Sequence, residues 1–280
     1  MKVQSFRNLT RYIDKSENFL LRNEVSNNLF WEVFKKLKKI PKNQHWAANV
    51  MDDGKIILSV ICTVNKYLMI SSGSRDANLH LLKYLKRNRI SLNGVAGPAN
   101  FIYPFYQRTS NQYKNRDFII YKSNKNIKLF NFEEDHEYCL KRVSKREWPR
   151  VRLWSLQFAM ESVPQLNGSE IVASAKKMME MGSLFIIQKK GLGTCGMGGF
   201  GRETQNFKVI NLVFVPVEYR NRGFGSILVK HLLALARREY SKKCLLFSDH
   251  DEANNLYQQM GFDRVSEYCE MEINLNLINF

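Results

Sequence analysis

The sequence predicts an α/β protein of the α+β type, with a mixed, mostly antiparallel central sheet flanked by helices. Two observations predict this class. Short β-rich runs separated by turn residues occupy residues 45–71 and indicate an antiparallel meander. Further on, an apolar strand pattern at residues 207–215 passes through a basic glycine loop into the helix-like run I-L-V-K-H-L-L-A-L-A-R-R. Strand and helix patterns therefore occur in both parts of the chain.

Residues 27–39 predict an amphipathic helix with a basic polar side. Leu29, Val33 and Leu37 recur on one face of this helix. A helix lying on a membrane surface has the same pattern. Packing of the apolar face against the strands that follow is favoured.

A chain of 280 residues suits one or two domains. We place a junction near residue 128, just before a strongly charged segment that contains Pro149. A second predicted helix has Leu79, Leu82 and Leu85 at core spacing. The predicted elements are, in order, strands over 45–51, 56–64 and 67–71, a helix over 76–89, strands over 92–99 and 117–129, helices over 153–163 and 171–181, and strands over 183–189, 195–202 and 207–215.

The strongest candidate for a binding site is the loop that reads Arg220-x-x-Gly223-x-Gly225. The first N–H groups of the helix that follows have no internal partner and carry the positive end of the helix dipole, so they attract an anion. The two glycines let a ligand approach those amides, and Arg220 and Arg222 add charge. A diphosphate is the expected ligand. The spacing of NTPase and dinucleotide loops is absent.

This loop resembles a signature of the GNAT family of N-acetyltransferases, in which R-x-x-G-x-G binds the pyrophosphate of acetyl-CoA. Residues 245–262, L-L-F-S-D-H-D-E-A-N-N-L-Y-Q-Q-M-G-F, resemble a second signature of the family, a strand and polar loop followed by A-x-x-L-Y-x-x-x-G-F. The two stand in the family's order and at its distance. The resemblance implies the GNAT fold and an acetyl-CoA-dependent N-acetyltransferase that uses no metal.

Two further segments resemble a bacterial two-part subfamily of GNAT proteins: G-V-A-G-P followed by a helix, and L-W-x-x-x-F-x-x-E at residues 153–161. The resemblance implies two tandem GNAT-like halves, a degenerate N-terminal domain at 1–127 and a catalytic domain at 128–280. The N-terminal half has S-S-G-S-R at residues 71–75 in place of the arginine-glycine loop. A plain turn of small residues is favoured there over an anion site.

The resemblance also assigns the cofactor contacts. The pantetheine arm carries amides, so it is expected to pair with the main chain before Pro216, which has no N–H. Asn254 lies three residues before Tyr257, on the same helical face, and its amide suits a polar contact. The expected cofactor-binding residues are Val213, Phe214, Val215, Arg220, Asn221, Arg222, Gly223, Phe224, Gly225, Ser226 and Asn254.

Tyr257 occupies the tyrosine that protonates the coenzyme A thiolate in many relatives, which implies direct transfer with Tyr257 as general acid. A phenol has a pKa near 10 and a thiol near 8.5, so the site must assist this step. Without the family pattern Tyr257 would be read as a core residue. The general base stays open between a water chain and the side chains of Glu161, Glu218, Asp249, His250, Asp251 and Glu252.

The net charge of +17 favours anionic partners, and acetyl-CoA accounts only for the charge near its site. Basic residues are scattered and no stacked-aromatic motif is evident, which disfavours nucleic acid. Five cysteines without C-x-x-C spacing predict reduced thiols and no structural zinc. No run of eighteen apolar residues or signal-peptide core is present, so we expect a cytoplasmic protein with no membrane insertion.

The favoured acceptor is a primary amine of a small molecule, with the protein acting as a monomer or homodimer. A protein lysine or N-terminal amine remains open as the acceptor, as does a regulator that binds acyl-CoA without turnover. The glycine-rich run at residues 195–202 is read either as the wall of a substrate channel or as a bulged connection.

Overall fold

The structure of the protein is a computed structural model that describes residues 1–37, 46–63, 67–106, 115–124, 137–248 and 256–272. Contacts divide the chain into two compact units, Met1–Ile120 with Val265–Phe280, and Tyr121–Arg264. The predicted junction near residue 128 lies outside the described residues, so the division into 1–127 and 128–280 stays a prediction.

Helices and strands are both present in each of the two units. The first are β1 (Lys2–Phe6), α1 (Leu9–Leu21), α2 (Leu29–Leu37), β2 (Ala47–Asp52), β3 (Lys55–Cys62), β4 (Tyr67–Ile70), α3 (Arg75–Arg87), β5 (Gly94–Pro98) and α4 (Ala99–Tyr106). The others are β6 (Asn115–Ser123), β7 (Tyr138–Arg142), α5 (Trp148–Glu161), α6 (Gly168–Glu180), β8 (Leu184–Lys189), β9 (Gly193–Glu203), β10 (Phe207–Phe214), α7 (Phe224–Tyr240), β11 (Lys243–Ser248), α8 (Leu256–Gln259) and β12 (Phe262–Glu272).

The first unit is built on a sheet with the strand order β1-β2-β3-β4-β5-β12. Its pairs are antiparallel except β4 with β5, which run parallel. The predicted meander corresponds to β2, β3 and β4. Helix α3 closes the core of this unit with apolar side chains from the sheet, and its fully buried members include Leu58, Val60, Leu68, Leu81, Leu82, Leu85, Val95 and Met271.

Two predicted helix faces can be compared with this core. In α2, Val33 and Leu37 are buried, so the helix packs within the unit, as favoured from the sequence. In α3, Leu82 and Leu85 are buried but Leu79 is 40% exposed. The core stripe of α3 runs through Leu81 as well, which turns Leu79 towards solvent.

The second unit is built on a sheet with the order β6-β11-β10-β9-β8-β7. Strands β7 to β10 pair antiparallel, and β10 pairs with β11 in parallel. Met197 of β9 belongs to the core under α5 and α6, whereas a Cβ at the next residue, Gly198, would lie 3.2 Å from Leu228 of α7. Because successive strand residues face opposite ways, α7 lies on the sheet face opposite α5 and α6.

Two glycines of β9, Gly199 and Gly201, are required by close approach of the neighbouring strands. A Cβ at Gly199 would overlap the carbonyl oxygen of Ser183, and one at Gly201 would lie 2.9 Å from Nδ2 of Asn211. The register between β9 and β10 also shifts beside Gly201, which marks a bulge. Both glycines therefore serve the bulged packing of the strands, and the substrate channel stays a prediction.

Main-chain amides of the S-S-G-S turn in the first unit are hydrogen-bonded to other groups of that unit. Asn27 is buried, and its Oδ1 accepts a hydrogen bond of 2.9 Å from the Ser72 N–H, while its Nδ2 donates to the Leu20 carbonyl at 3.0 Å. The Ser74 N–H donates to the Ile57 carbonyl at 2.8 Å. These amides are engaged internally, which supports the small-residue turn over an anion site.

We predict that Asn27→Ala lowers the free energy of unfolding by about 2–4 kcal/mol, because it removes the hydrogen bonds of a buried side chain and leaves the Ser72 N–H without its acceptor. The shift of the urea midpoint measures this loss. Asn23→Ala is the matched control. Asn23 is exposed, and its main chain makes hydrogen bonds to Leu20 and Asn27 that the substitution keeps. Equal midpoints for the two variants would contradict the role given to Asn27.

We also predict that Gly199→Ala destabilises the protein by more than about 2 kcal/mol, because the added methyl group displaces the Ser183 backbone. Gly225→Ala is the control, since its Cβ would make only ordinary contacts at 3.8 and 3.9 Å. Thermal unfolding of both variants is the measurement. A Gly199→Ala variant as stable as Gly225→Ala would show that β9 can move away from β8.

Candidate functional site

Strands β10 and β11 part midway along their length. Their parallel register extends from Phe207 opposite Lys243 to Ile210 opposite Leu246. Strand β10 continues to Phe214 and β11 to Ser248, and between their described residues the ladder has no further pair. The main chain of β10 after Ile210 therefore has an edge that β11 does not cover.

A bulge in β10 lies at the start of this uncovered edge. The register with β9 shifts between Asn211 and Phe214, and Leu212 has a φ of 55°. Oδ1 of Asn211 accepts a hydrogen bond of 2.8 Å from the Leu212 N–H, and the Leu212 side chain is buried in the core under α5. A leucine in the left-handed region is strained, so packing holds the bulge in place. A bulge bends its strand, which accounts for the parting from β11.

The arginine-glycine loop follows and ends at an open helix terminus. A single 3₁₀ turn, Val217–Tyr219, leads to Asn221 with a φ of 60° and Gly223 with a φ of 78°. Helix α7 then begins, and no described side chain caps its first turn. A Cβ at Gly223 would meet no atom within 4 Å. The space beside Gly223 is thus open where α7 begins, and glycine adopts the left-handed conformation without a steric penalty.

The two arginines of the loop have different surroundings. Arg220 donates from Nε to the Val215 carbonyl at 2.9 Å and pairs through Nη2 with Glu161 at 2.5 Å. Its guanidinium also lies 5.6 Å from the centre of the Phe214 ring. Arg220 therefore ties the loop to β10 and to the end of α5. Arg222 is exposed at the loop surface.

Phe224, the first residue of α7, is buried and anchors the loop from below. Its ring lies 6.2 Å from that of Tyr138 and 6.1 Å from that of Tyr219, both edge to face. Its side chain is committed to this aromatic cluster. Any cofactor contact of Phe224 must therefore come from its main chain.

The second signature lies beside the first. Helix α8 carries Leu256, and a Cβ at Gly225 would lie 3.9 Å from Cδ2 of Leu256 and 3.8 Å from Cγ2 of Val215. The uncovered end of β10, the start of α7 and α8 thus meet at one place. Tyr257, the next residue of α8, is half-buried.

The Tyr257 ring packs against the rings of Tyr121 and Phe262, at 5.9 and 6.1 Å. Tyr121 was not singled out from the sequence, because its approach depends on pairing between distant strands. Asn254 and the possible bases Asp249, His250, Asp251 and Glu252 lie outside the described residues.

Over the part of the chain that the structure describes, no three His, Cys, Asp or Glu side chains are grouped as metal ligands. In the same part, no helix has the length and apolarity needed to cross a membrane. All five cysteines are free thiols, and Cys139 is exposed whereas the other four are buried.

Comparison with known proteins supports the fold and the family. The sequence-family model of the acetyltransferase (GNAT) domain matches residues 181–264, which include the uncovered strand β10, the arginine-glycine loop and α8. No curated protein matches the chain in sequence.

Several solved structures are similar over nearly the whole chain. An acetyltransferase of the GNAT family from Colwellia psychrerythraea has a TM-score of 0.59 at 12% identity, covering 98% of this chain and all of that one. A GCN5-related N-acetyltransferase from Sphaerobacter thermophilus has a TM-score of 0.58 at 14% identity, covering 98% and 96%. A tandem GNAT protein from the clavulanic acid biosynthesis pathway has a TM-score of 0.57 at 10% identity, covering 98% and 99%.

The predicted fold class and the resemblance to two-part GNAT proteins are thereby confirmed. Residues 181–264 match the acetyltransferase (GNAT) domain, and the chain shares its fold along nearly its whole length with GNAT structures, a tandem GNAT protein among them.

Proposed function

We propose that the protein transfers an acetyl group from acetyl-CoA to a primary amine of a small molecule. The observation that carries this proposal is the edge of β10 that β11 leaves uncovered, which leads directly to the open start of α7. A pantetheine arm bears amides that can take the place of the missing strand, and a diphosphate suits the free amides of a helix start. The pantetheine arm and the diphosphate of coenzyme A would thus lie on the strand edge and on the helix start, in the order in which they follow each other in the cofactor.

The arm is assigned to the main chain of Val213, Phe214 and Val215. The Val215 carbonyl already accepts from Arg220, so its N–H is the group that we assign to the ligand. A backbone N–H on this edge would also polarise the thioester carbonyl of bound acetyl-CoA, where negative charge develops during the reaction.

The diphosphate is assigned to the start of α7, where main-chain amides, the helix dipole and the exposed Arg222 act together. Arg220 has a different role from the one that its motif position implies. Its bonds to Val215 and Glu161 hold the loop, so it acts through the loop's shape and its positive field. We assign the cofactor to Asn221, Arg222, Gly223, the main chain of Phe224, Gly225 and Ser226, with Arg220 acting through the shape of the loop.

The proposed reaction is direct transfer. The amine nitrogen bonds to the thioester carbonyl carbon, the C–S bond breaks, and the departing thiolate takes the phenolic proton of Tyr257. The nitrogen loses its extra proton to solvent or to a base that we leave unassigned. Tyr257 is the proposed acid because α8 sits beside Gly225 and Val215, at the end of the uncovered strand.

Cofactor binding tests the proposal through isothermal titration with acetyl-CoA. We expect saturable binding, and Arg222→Ala is expected to raise the Kd roughly 10-fold, because a charge-assisted contact to phosphate is worth about 1.5–3 kcal/mol. Arg237→Ala is the matched control, since Arg237 is exposed near the other end of α7. Lack of saturable binding at high micromolar acetyl-CoA would overturn the proposal.

The acid role of Tyr257 is tested by Tyr257→Phe in an assay of free thiol release over a panel of amines. We expect kcat to fall about 100-fold while the Kd for acetyl-CoA stays unchanged, because only proton donation is lost. Tyr219→Phe is the control, since Tyr219 packs under the loop. Cofactor binding without thiol release by the wild type on any amine, peptide amines included, would favour a non-catalytic acyl-CoA-binding regulator.

A further inference from the structure

A groove runs between α7 and the edge strand β7, on the sheet face that α7 covers. It encloses a volume of about 740 Å³ and is formed by β7, β8, the turn between β8 and β9, and the outer side of α7. Pockets for small ligands span roughly 300–1,000 Å³. Strands β8 and β9 separate β7 from β10, so the proposed acetyl-CoA slot does not account for this groove.

The charges that line the groove favour an anion. Its basic side chains are Arg142, Lys189, Lys190 and Arg238, and its acids are Glu137 and Glu239. Each acid is paired with a base of the groove, Glu239 with Arg142 at 3.0 Å and Glu137 with Lys189 at 2.8 Å. Over the described residues that line it, the groove therefore has a formal excess of two cations over anions, and such an excess in a concave surface attracts anions.

The wall between these charges is apolar and aromatic. Leu140, Phe185 and Leu235 line the groove, together with Tyr138. The Arg142 guanidinium lies 5.5 Å from the Phe185 ring centre, and Lys189 Nζ lies 5.5 Å from that of Tyr138. Rings and cations are thus interleaved, which suits a molecule with an apolar body and an anionic group.

Tyr138 connects the groove with the loop at the start of α7. Its ring packs against Phe224, the buried anchor of that loop. A ligand in the groove would contact one partner of the aromatic pair, and acetyl-CoA at the proposed site would bind above the other. Two ligands that bias the same packed pair affect each other's binding equally.

We propose that this groove binds a small organic anion, a phosphate ester or carboxylate on an apolar body, and that its binding changes the affinity of the loop for acetyl-CoA. The binding step does not depend on the proposed function. The coupling step rests on it.

Titration of the full chain with phenyl phosphate, benzoate and inorganic phosphate tests binding. We expect one of the two aromatic anions to bind saturably and at least 10-fold more tightly than inorganic phosphate. A preference for phenyl phosphate identifies a phosphate ester as the ligand class, and a preference for benzoate a carboxylate. Equal affinity for inorganic phosphate, or no saturation by either aromatic anion at millimolar concentration, would overturn the proposal.

The double variant Lys190→Gln/Arg238→Gln is expected to raise the Kd of the preferred probe at least 10-fold. Lys145→Gln/Arg237→Gln is the matched control, because it removes the same charge from exposed positions that do not line the groove. Equal loss in both variants would reduce the effect to net charge and refute the site. If sedimentation shows a dimer and the dimer does not bind the probe, the groove is an interface with a second copy of the chain. That result would refute the proposed small-ligand site.

The coupling is tested by measuring the Kd for acetyl-CoA with and without saturating probe. We expect a change of about fivefold or more in the wild type and none in Tyr138→Ala. An unchanged Kd in the wild type refutes the coupling. Absence of acetyl-CoA binding would refute the proposed function and leave the result for the groove standing.

Discussion

The bulge at Leu212 is the constraint on which the candidate site depends. A leucine at positive φ costs on the order of 1–3 kcal/mol, and the edge of β10 beyond Ile210 gives up ladder hydrogen bonds to β11. Burial of the Leu212 side chain among Val151, Trp154 and Phe214 offsets about 2 kcal/mol of this cost. The strain is thus held by the core of the second unit, which keeps the edge uncovered before any ligand arrives.

The two units resolve the same local problem in opposite ways. Each has a strand followed by a glycine-containing connection and a helix. In the first unit Asn27 reaches the Ser72 amide and Ile57 accepts from Ser74, so the turn is closed. In the second unit the arginine at position 220 turns back to Val215 and Glu161, which leaves the helix start open. The two turns differ because the amides of the first are hydrogen-bonded within the unit, whereas no described side chain caps the helix start in the second.

The parts of the site that depend on neighbouring residues could be predicted from the sequence. The glycine at 223, the helix after it and the signature around Tyr257 are local patterns, and the structure brings them together at Gly225 and Leu256. Arg220 was correctly placed in the loop, but its partner Glu161 is 59 residues away and no local signal indicates the pair. Leu212 was read as an ordinary strand residue, because a bulge follows from the registers with β9 and β11.

The fold shows the same limit. The meander and α3 follow from hydrophobic period, whereas the phase of α3 at Leu79 depends on which face the sheet covers. Strand β12 was missed, since Tyr268–Glu272 become a strand by pairing with β5 some 170 residues earlier. Helix α1 and strand β1 were missed as well, because basic and amide residues interrupt their apolar pattern and only packing in the first unit fixes their state.

The positions of the basic residues in the structure show which sites use the net charge of +17. Near the proposed diphosphate site, Arg220 and Arg222 are both exposed and Arg220 is paired with Glu161, so acetyl-CoA needs only a small part of the excess. The groove beside β7 holds another part, in a concave surface with apolar walls. A concave site focuses charge in a way that scattered surface lysines do not. The distribution of charge therefore agrees with the two anion sites that we propose. The contact between the Tyr138 and Phe224 rings is the link through which binding at one site would change the affinity of the other.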